Sequence, residues 1–200
     1  MSGRRLACIV EGHGEVKAVP ILLRRLWEEE PSLAMPEIQS RDVIRIPRSK
    51  LLRAGELERA VELAARRCGS DGAILVLVDA DDDPACELGP QLQARARGAR
   101  PDMRVAVVLA VREYEAWFLA AAPSLSGSAD LPDELSPPND PEGIRDAKGW
   151  LSARMPSSRY REVIHQPKLT AKMALEPTRP CGSWDKLRRE VRQLLAPTVE

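Results

Sequence analysis

Four carboxylates crowd the end of one apolar run: residues 72–78 read GAILVLV, and Asp79, Asp81, Asp82 and Asp83 follow at once. Two carboxylates about 4 Å apart repel by roughly 4 kcal/mol at an effective dielectric near 20. A buried strand with such an ending calls for positive charge among the acids, and a divalent cation is the usual source. Ligands that offer only oxygen suit the hard cations Mg²⁺, Mn²⁺ and Ca²⁺. Glu11 closes a second apolar run and Glu113 follows a third.

The elements that would position these acids can be read from periodicity. Residues 5–11, 42–47, 72–80 and 103–111 read as strands. Between them lie helical patterns: one reaching about residue 30 with Leu22, Leu23, Leu26 and Trp27 on one side, then 55–67, 84–97 and 113–121. Pro20 falls inside the first pattern, which predicts a kink there or a helix that starts only shortly before it. Near-continuous apolar strands alternating with helices predict an α/β fold, a parallel sheet covered by helices on both faces. Functional groups of such sheets lie at the carboxyl ends of the strands. Glu11, Asp79, Asp81 and Glu113 satisfy that rule from three different strands.

The α/β core is expected to span residues 1–122. Residues 123–141, rich in Pro, Ser, Gly and Asp, read as a loop or mobile crossover. Residues 142–200 read as a helical extension, with helices near 141–154, 159–165, 168–175 and 183–195, expected to pack against the sheet edge.

The glycines of Gly12-His13-Gly14 are expected to allow a sharp turn that presents Glu11. A dinucleotide fingerprint would need a further glycine where the chain has Lys17. His13, beside Glu11, and Arg112 are candidates to touch substrate phosphate, although Arg112 is expected to pair with Glu113. Trp117 is expected to anchor its helix in the core.

The 200 residues carry 30 acids and 30 Lys or Arg, but unevenly. Residues 76–142 hold 13 acids and 5 bases, net −8, and residues 143–200 hold 6 acids and 12 bases, net +6. Lys168, Lys172, Lys186, Arg188, Arg189 and Arg192 form a basic C-terminal set that would serve either as a solvated helix face or as nucleic-acid contacts. Cys8, Cys68, Cys86 and Cys181 have no metal-ligand spacing and are expected to be free thiols in a reducing compartment. No signal peptide or membrane span is expected, and the expected location is the cytoplasm.

Glu11 with Asp79 and Asp81 resembles the acidic set of a Toprim domain. The chain resembles still more closely an uncharacterised bacterial Toprim-like family of unknown function, related to the Toprim domains of OLD-type nucleases. The resemblance runs through Val10-Glu11-Gly12-His13-Gly14-Glu15, Asp79-Ala80-Asp81-Asp82, Arg112-Glu113-Tyr114-Glu115-Ala116-Trp117, Gln166-Pro167-Lys168 and Ser183-Trp184. It implies a Toprim-like Rossmannoid sheet and Mg²⁺- or Mn²⁺-dependent cleavage of nucleic-acid phosphodiesters. Glu11, Asp79 and Asp81 would be the metal ligands. Glu11, Asp81 and Glu113 would be catalytic, with Glu11 as general base or acid and Glu113 or Glu115 as a supporting carboxylate. His13, Arg112 and Lys168 are the candidate substrate contacts. His165 departs from the resemblance, which would place an acid there. A partner ATPase in a defence or repair system is a further implication. The competing readings are a non-catalytic module that binds metal or nucleotide and regulates a partner ATPase, and a small-molecule phosphohydrolase, which needs less basic surface. Oligomeric state is left open.

Overall fold

In the computed structural model, which describes residues 3–197, three seven-residue strands are buried at almost every position: β1 (Arg4–Val10), β4 (Ala73–Asp79) and β5 (Arg104–Ala110). They pair in parallel, β1 with β4 and β4 with β5, in a register that aligns Cys8 with Leu75 and Leu75 with Ala106. Two short strands, β2 (Pro36–Glu37) and β3 (Val43–Arg45), pair in succession along the other side of β1, also in parallel. All carboxyl ends therefore lie along one edge of the sheet.

Alternate side chains go to opposite faces of a strand, and each face has its own core. Leu6, Cys8, Val10, Leu75, Leu77, Ala106 and Val108 face one side, where helix α1 (Glu15–Glu29) adds Ala18, Val19, Leu22, Leu23 and Leu26. Ala7, Ile9, Ile74, Val76, Val78, Val105 and Val107 face the other. There they meet α2 (Arg48–Leu51), α3 (Glu56–Cys68) and α4 (Ala85–Ala99) through Leu51, Leu57, Val61, Ala64, Leu92 and Ala96. The expected doubly covered parallel α/β sheet is the observed one.

The rest of the chain completes the first face. Helices α5 (Ala116–Ala120), α6 (Ala147–Ser152), α7 (Glu162–Thr170) and α8 (Gly182–Leu195) contribute Trp117, Phe118, Leu151, Leu169, Trp184, Leu187 and Val191 to the same core as α1. The extension thus lies across a face of the sheet and not at its edge. Even the Pro- and Ser-rich crossover sends Leu125, Leu131 and Leu135 into that core. Trp117 is buried as expected; its ring meets Tyr114 and Trp184, and its indole N–H donates to Ser183 Oγ at 2.8 Å.

Several expected boundaries move for local reasons. Helix α1 begins at Glu15 and runs through Pro20, so the C=O of Val16 lacks its usual i+4 donor. Strand β3 starts after Asp42, because that buried carboxylate closes a 3-10 turn by accepting from Gln39 N at 2.9 Å. The helix expected from residue 113 starts only at Ala116, since Arg112 is left-handed (φ 63°) and Tyr114 N–H is used elsewhere. The two helices expected around residues 159–175 are one, α7, which passes through Pro167.

The chain bends and turns at residues 11–14 without left-handed backbone: neither Gly12 nor Gly14 has positive φ, and Gly14 is helical (φ −68°). Gly14 is instead needed where α1 meets α7. A Cβ there would lie 2.2 Å from Gln166 Oε1 and 2.7 Å from the backbone O of Glu162.

The four cysteines are free, with only Cys86 exposed. Among the described residues no helix is long and apolar enough to cross a membrane.

Candidate functional site

At the carboxyl edge the chain leaves β1 through Glu11, ends β4 on Asp79 and leaves β5 through Glu113. Parallel pairing puts these three exits side by side. The N–H of Asp79 donates to Glu11 Oε2 at 3.3 Å, and Asp79 Oδ1 accepts from the N–H of Tyr114 at 2.8 Å. Asp79 is therefore turned inward, buried and held by the backbone that follows β5.

Two more acids close the cluster from within. Glu15, in the first turn of α1, accepts from the N–H of Glu11 at 2.9 Å and of Gly12 at 3.2 Å, which fixes the exit from β1. Glu115 is fully buried; its Oε1 accepts from Tyr160 Oη at 2.7 Å and from Gln166 Nε2 at 3.3 Å. Gln166 Oε1 and Glu115 Oε2 are buried without a hydrogen-bond partner.

One cation sits among these acids. Lys148, from the first turn of α6, places Nζ 3.2 Å from Glu113 Oε1 and 3.7 Å from Glu115 Oε2, and its own N–H donates to Glu113 Oε2 at 3.1 Å. Burial opposes the lysine charge, but Glu115, Asp79 and Glu113 outweigh it and raise the ammonium pKa. The acids respond to burial first and to one another second. Burial and the neighbouring Glu15 and Glu115 hold Asp79 well above the usual carboxylate range. Glu15 and Glu115 are each pushed up to about 7, mainly by burial. Burial also raises Glu11, against the Asp79 N–H that favours its charged form.

Arginines form a rim around this acidic centre. Arg48 donates through Nε to the C=O of Asp79 at 3.0 Å and through Nη2 to that of Ala80 at 3.2 Å, and it pairs with Asp83. Arg45 Nη1 reaches the C=O of Glu11 at 3.4 Å. Arg112 and Arg145 both meet Asp82.

The sequence-predicted residues thus divide. Glu11, Asp79 and Glu113 belong to the cluster, together with Glu115, the alternative supporting carboxylate. Asp81 belongs to the rim: it is left-handed (φ 51°), its side chain is 56% exposed, and its carboxylate lies 3.5 Å from Arg48. Its charge still reaches Glu11 and helps raise it. Arg112 pairs with Asp82 and not with Glu113, whose carboxylate Lys148 takes. His13 is exposed in the turn before α1, and Lys168 is exposed on α7. His165 is buried and accepts from the N–H of Arg161 through Nδ1 at 2.7 Å.

Sequence reasoning missed Glu15, Lys148 and Arg48. Lys148 carried one local signal: it follows the cap residue Asp146 in the first turn of a helix, where the macrodipole disfavours a cation. Such a misplaced lysine points to an acidic partner from elsewhere in the chain.

No curated protein and no solved structure matches the chain. The family model for a domain of unknown function, DUF4276, matches residues 10–192, a span that takes in every member of the acidic cluster and its arginine rim. The chain belongs to the DUF4276 family.

Proposed function

We propose that this protein is a Mg²⁺-dependent phosphodiester-cleaving enzyme of Toprim-like type that acts on nucleic acid. The observation that carries the reading is the buried carboxylate cluster built from three parallel strand ends and ringed by arginines. Elements distant in sequence place Glu11, Asp79 and Glu113 together at the edge where parallel sheets carry their sites.

The donor set fits a hard cation in one respect: Glu11, Asp79 and Asp81 offer only carboxylate oxygen. Among the described residues no three His, Cys, Asp or Glu side chains stand in a metal-holding arrangement. Mg²⁺ keeps most of its waters and needs only one or two carboxylates. Glu11 and Asp79 would hold it, joined by Asp81. Bound there, the cation would polarise a phosphoryl oxygen and lower the pKa of a water. Glu11, whose pKa burial raises, would accept or return the proton. Lys148 holds Glu113 and Glu115 in place, and the arginine rim meets phosphate charge.

One observation favours small phosphorylated substrates as a second reading. Helix α1 starts at the carboxyl edge, and its 15 residues carry its far end, with Glu29, to the opposite side, roughly 22 Å away at 1.5 Å per residue. Arg188 pairs with Glu29, and Arg192 Nε donates to Glu30 at 2.6 Å. Of the basic residues of α8, Lys186, Arg188 and Arg192 are thus paired internally, away from the acids, and Arg189 is exposed.

Duplex DNA, single-stranded DNA, RNA and a dinucleotide phosphodiester, each offered with Mn²⁺ or Mg²⁺, separate the readings. The expected result is cleavage that falls on the order of 100-fold or more in Glu11→Gln and disappears in Asp79→Asn. Melting in a Mn²⁺ series is the companion measurement, since a ligand at one hundred times its dissociation constant stabilises by about 2.7 kcal/mol. Undiminished cleavage and an undiminished Mn²⁺ response in both variants would remove the cluster from the mechanism.

A further inference from the structure

We propose that Arg112 and Arg145 form a clamp for a phosphoryl group of the substrate, and that Asp82 of the same chain occupies it when no substrate is bound. This rests on the reading above that the site takes phosphorylated substrates.

One carboxylate oxygen, Oδ1 of Asp82, meets two guanidiniums from separate segments: Arg112, which follows β5, and Arg145 Nη2 at 3.3 Å, which precedes α6. Two arginines on one oxygen is the arrangement a phosphate oxygen would receive. Among the described residues the Asp82 carboxylate meets no other group, and it is 73% exposed. An exposed ion pair of this kind contributes little to stability. Arg112, in contrast, is held independently of Asp82. Its Nη1 donates to the C=O of Asp81 at 3.2 Å, and its own C=O accepts from the N–H of Asp81 at 3.0 Å. Both ends of this bridge, Asp81 and Arg112, take left-handed backbone, which is costlier for arginine than for aspartate. Backbone strain of that kind persists only where the surroundings impose it.

The clamp also lies beside the acids. Arg112 directly precedes Glu113, Arg145 lies three residues before Lys148, and Glu113 and Lys148 are themselves bonded. A phosphoryl group that replaced Asp82 would sit next to the cluster. It brings more acceptor oxygens and more charge than the carboxylate it displaces, so exchange favours the substrate.

The test is titration calorimetry with inorganic phosphate in the presence of a chelator, which keeps metal out of the measurement. Asp82→Asn preserves shape and removes the competing charge. It is expected to bind phosphate about tenfold more tightly than wild type, the size expected for removing one like charge at a partly exposed site. Adding Arg145→Ala to Asp82→Asn is expected to abolish that gain. Equal affinity in wild type and Asp82→Asn overturns the clamp, as does a gain that survives the loss of Arg145. The cleavage assay on the same variants keeps the two ideas apart. A gain in phosphate affinity with no cleavage of any substrate leaves the clamp standing and removes the enzymatic reading, whereas cleavage without the gain does the reverse.

Discussion

The Nζ of Lys148 lies 3.7 Å from Oε2 of Glu115, a buried carboxylate oxygen that no hydrogen bond reaches. The ammonium is therefore the charge that answers this oxygen. Lys148→Met should destabilise the protein by about 3 kcal/mol, because it leaves a buried charge unpaired. Glu115→Gln added to it should recover most of that loss. Urea denaturation of the two single variants and the double at pH 8 measures the coupling; simple additivity would show that the two side chains do not act as a pair.

Stability should fall as pH rises. Glu15 is raised from 4.5 to about 7 in the fold, and Glu115 likewise. A folded state that holds protons more tightly than the unfolded chain gains stability fully present below about pH 4.5 and lost as pH passes 7. For one such group the change amounts to about 3 kcal/mol. Glu15→Gln keeps an oxygen for the N–H groups of Glu11 and Gly12 and should flatten the slope. A wild-type melting temperature that climbs steadily from pH 5 to pH 8 would contradict this.

Gly14→Ala should cost about 1 to 3 kcal/mol, since its new methyl meets the Gln166 side chain and the backbone of Glu162. Gly14 is the N-cap of α1, where glycine is preferred to alanine, so capping adds to the same sign. Gly12→Ala, whose nearest neighbour would stand at 3.4 Å, should stay near wild type. Guanidinium denaturation of the pair decides whether close packing of α1 on α7 is what requires the glycine.

Lys186, Arg188 and Arg192 of helix α8 should play no part in any nucleic-acid affinity. Lys186 pairs with Glu190 at 2.8 Å, and Arg188 and Arg192 pair with acids at the far end of α1. Alanine at Lys186, Arg188 and Arg192 together should leave the salt dependence of binding unchanged. Had these side chains neutralised duplex phosphates, the log-log slope would shrink by roughly 0.9 for each phosphate no longer neutralised. A flatter slope in the triple variant would return α8 to the binding surface.

Much of this architecture was legible in the sequence because the signals were local. The runs at 72–78 and 103–111 are apolar at nearly every position, which only a strand covered on both faces requires, and the acids at their ends follow from that reading. The inward turn of Asp79 and the outward turn of Asp81 were not legible. They depend on the left-handed backbone of Asp81 and on the N–H of Tyr114, which is 35 residues away. Lys148 was hidden in the same way, behind a crossover with no periodicity. Glu15 looked like an ordinary first-turn acid, a placement that any helix favours. The basic face of α8 was visible, but its partners at the far end of α1 belong to tertiary structure.

The first face of the sheet is closed by the last helix described. Arg4 Nη1, on the first strand, donates to the C=O of Leu194 at 2.8 Å, and Ala34 N donates to that of Leu195 at 2.8 Å. A ribosome that releases this chain from its N-terminus therefore presents all five strands while the part of the first face that α1 leaves open still waits for its cover. Contacts so distant in sequence slow folding and lengthen the exposure of unshielded strands. Shielding of the nascent sheet is complete only once α8 has emerged, so a stop codon anywhere in the crossover would yield an aggregating fragment and not a smaller working protein.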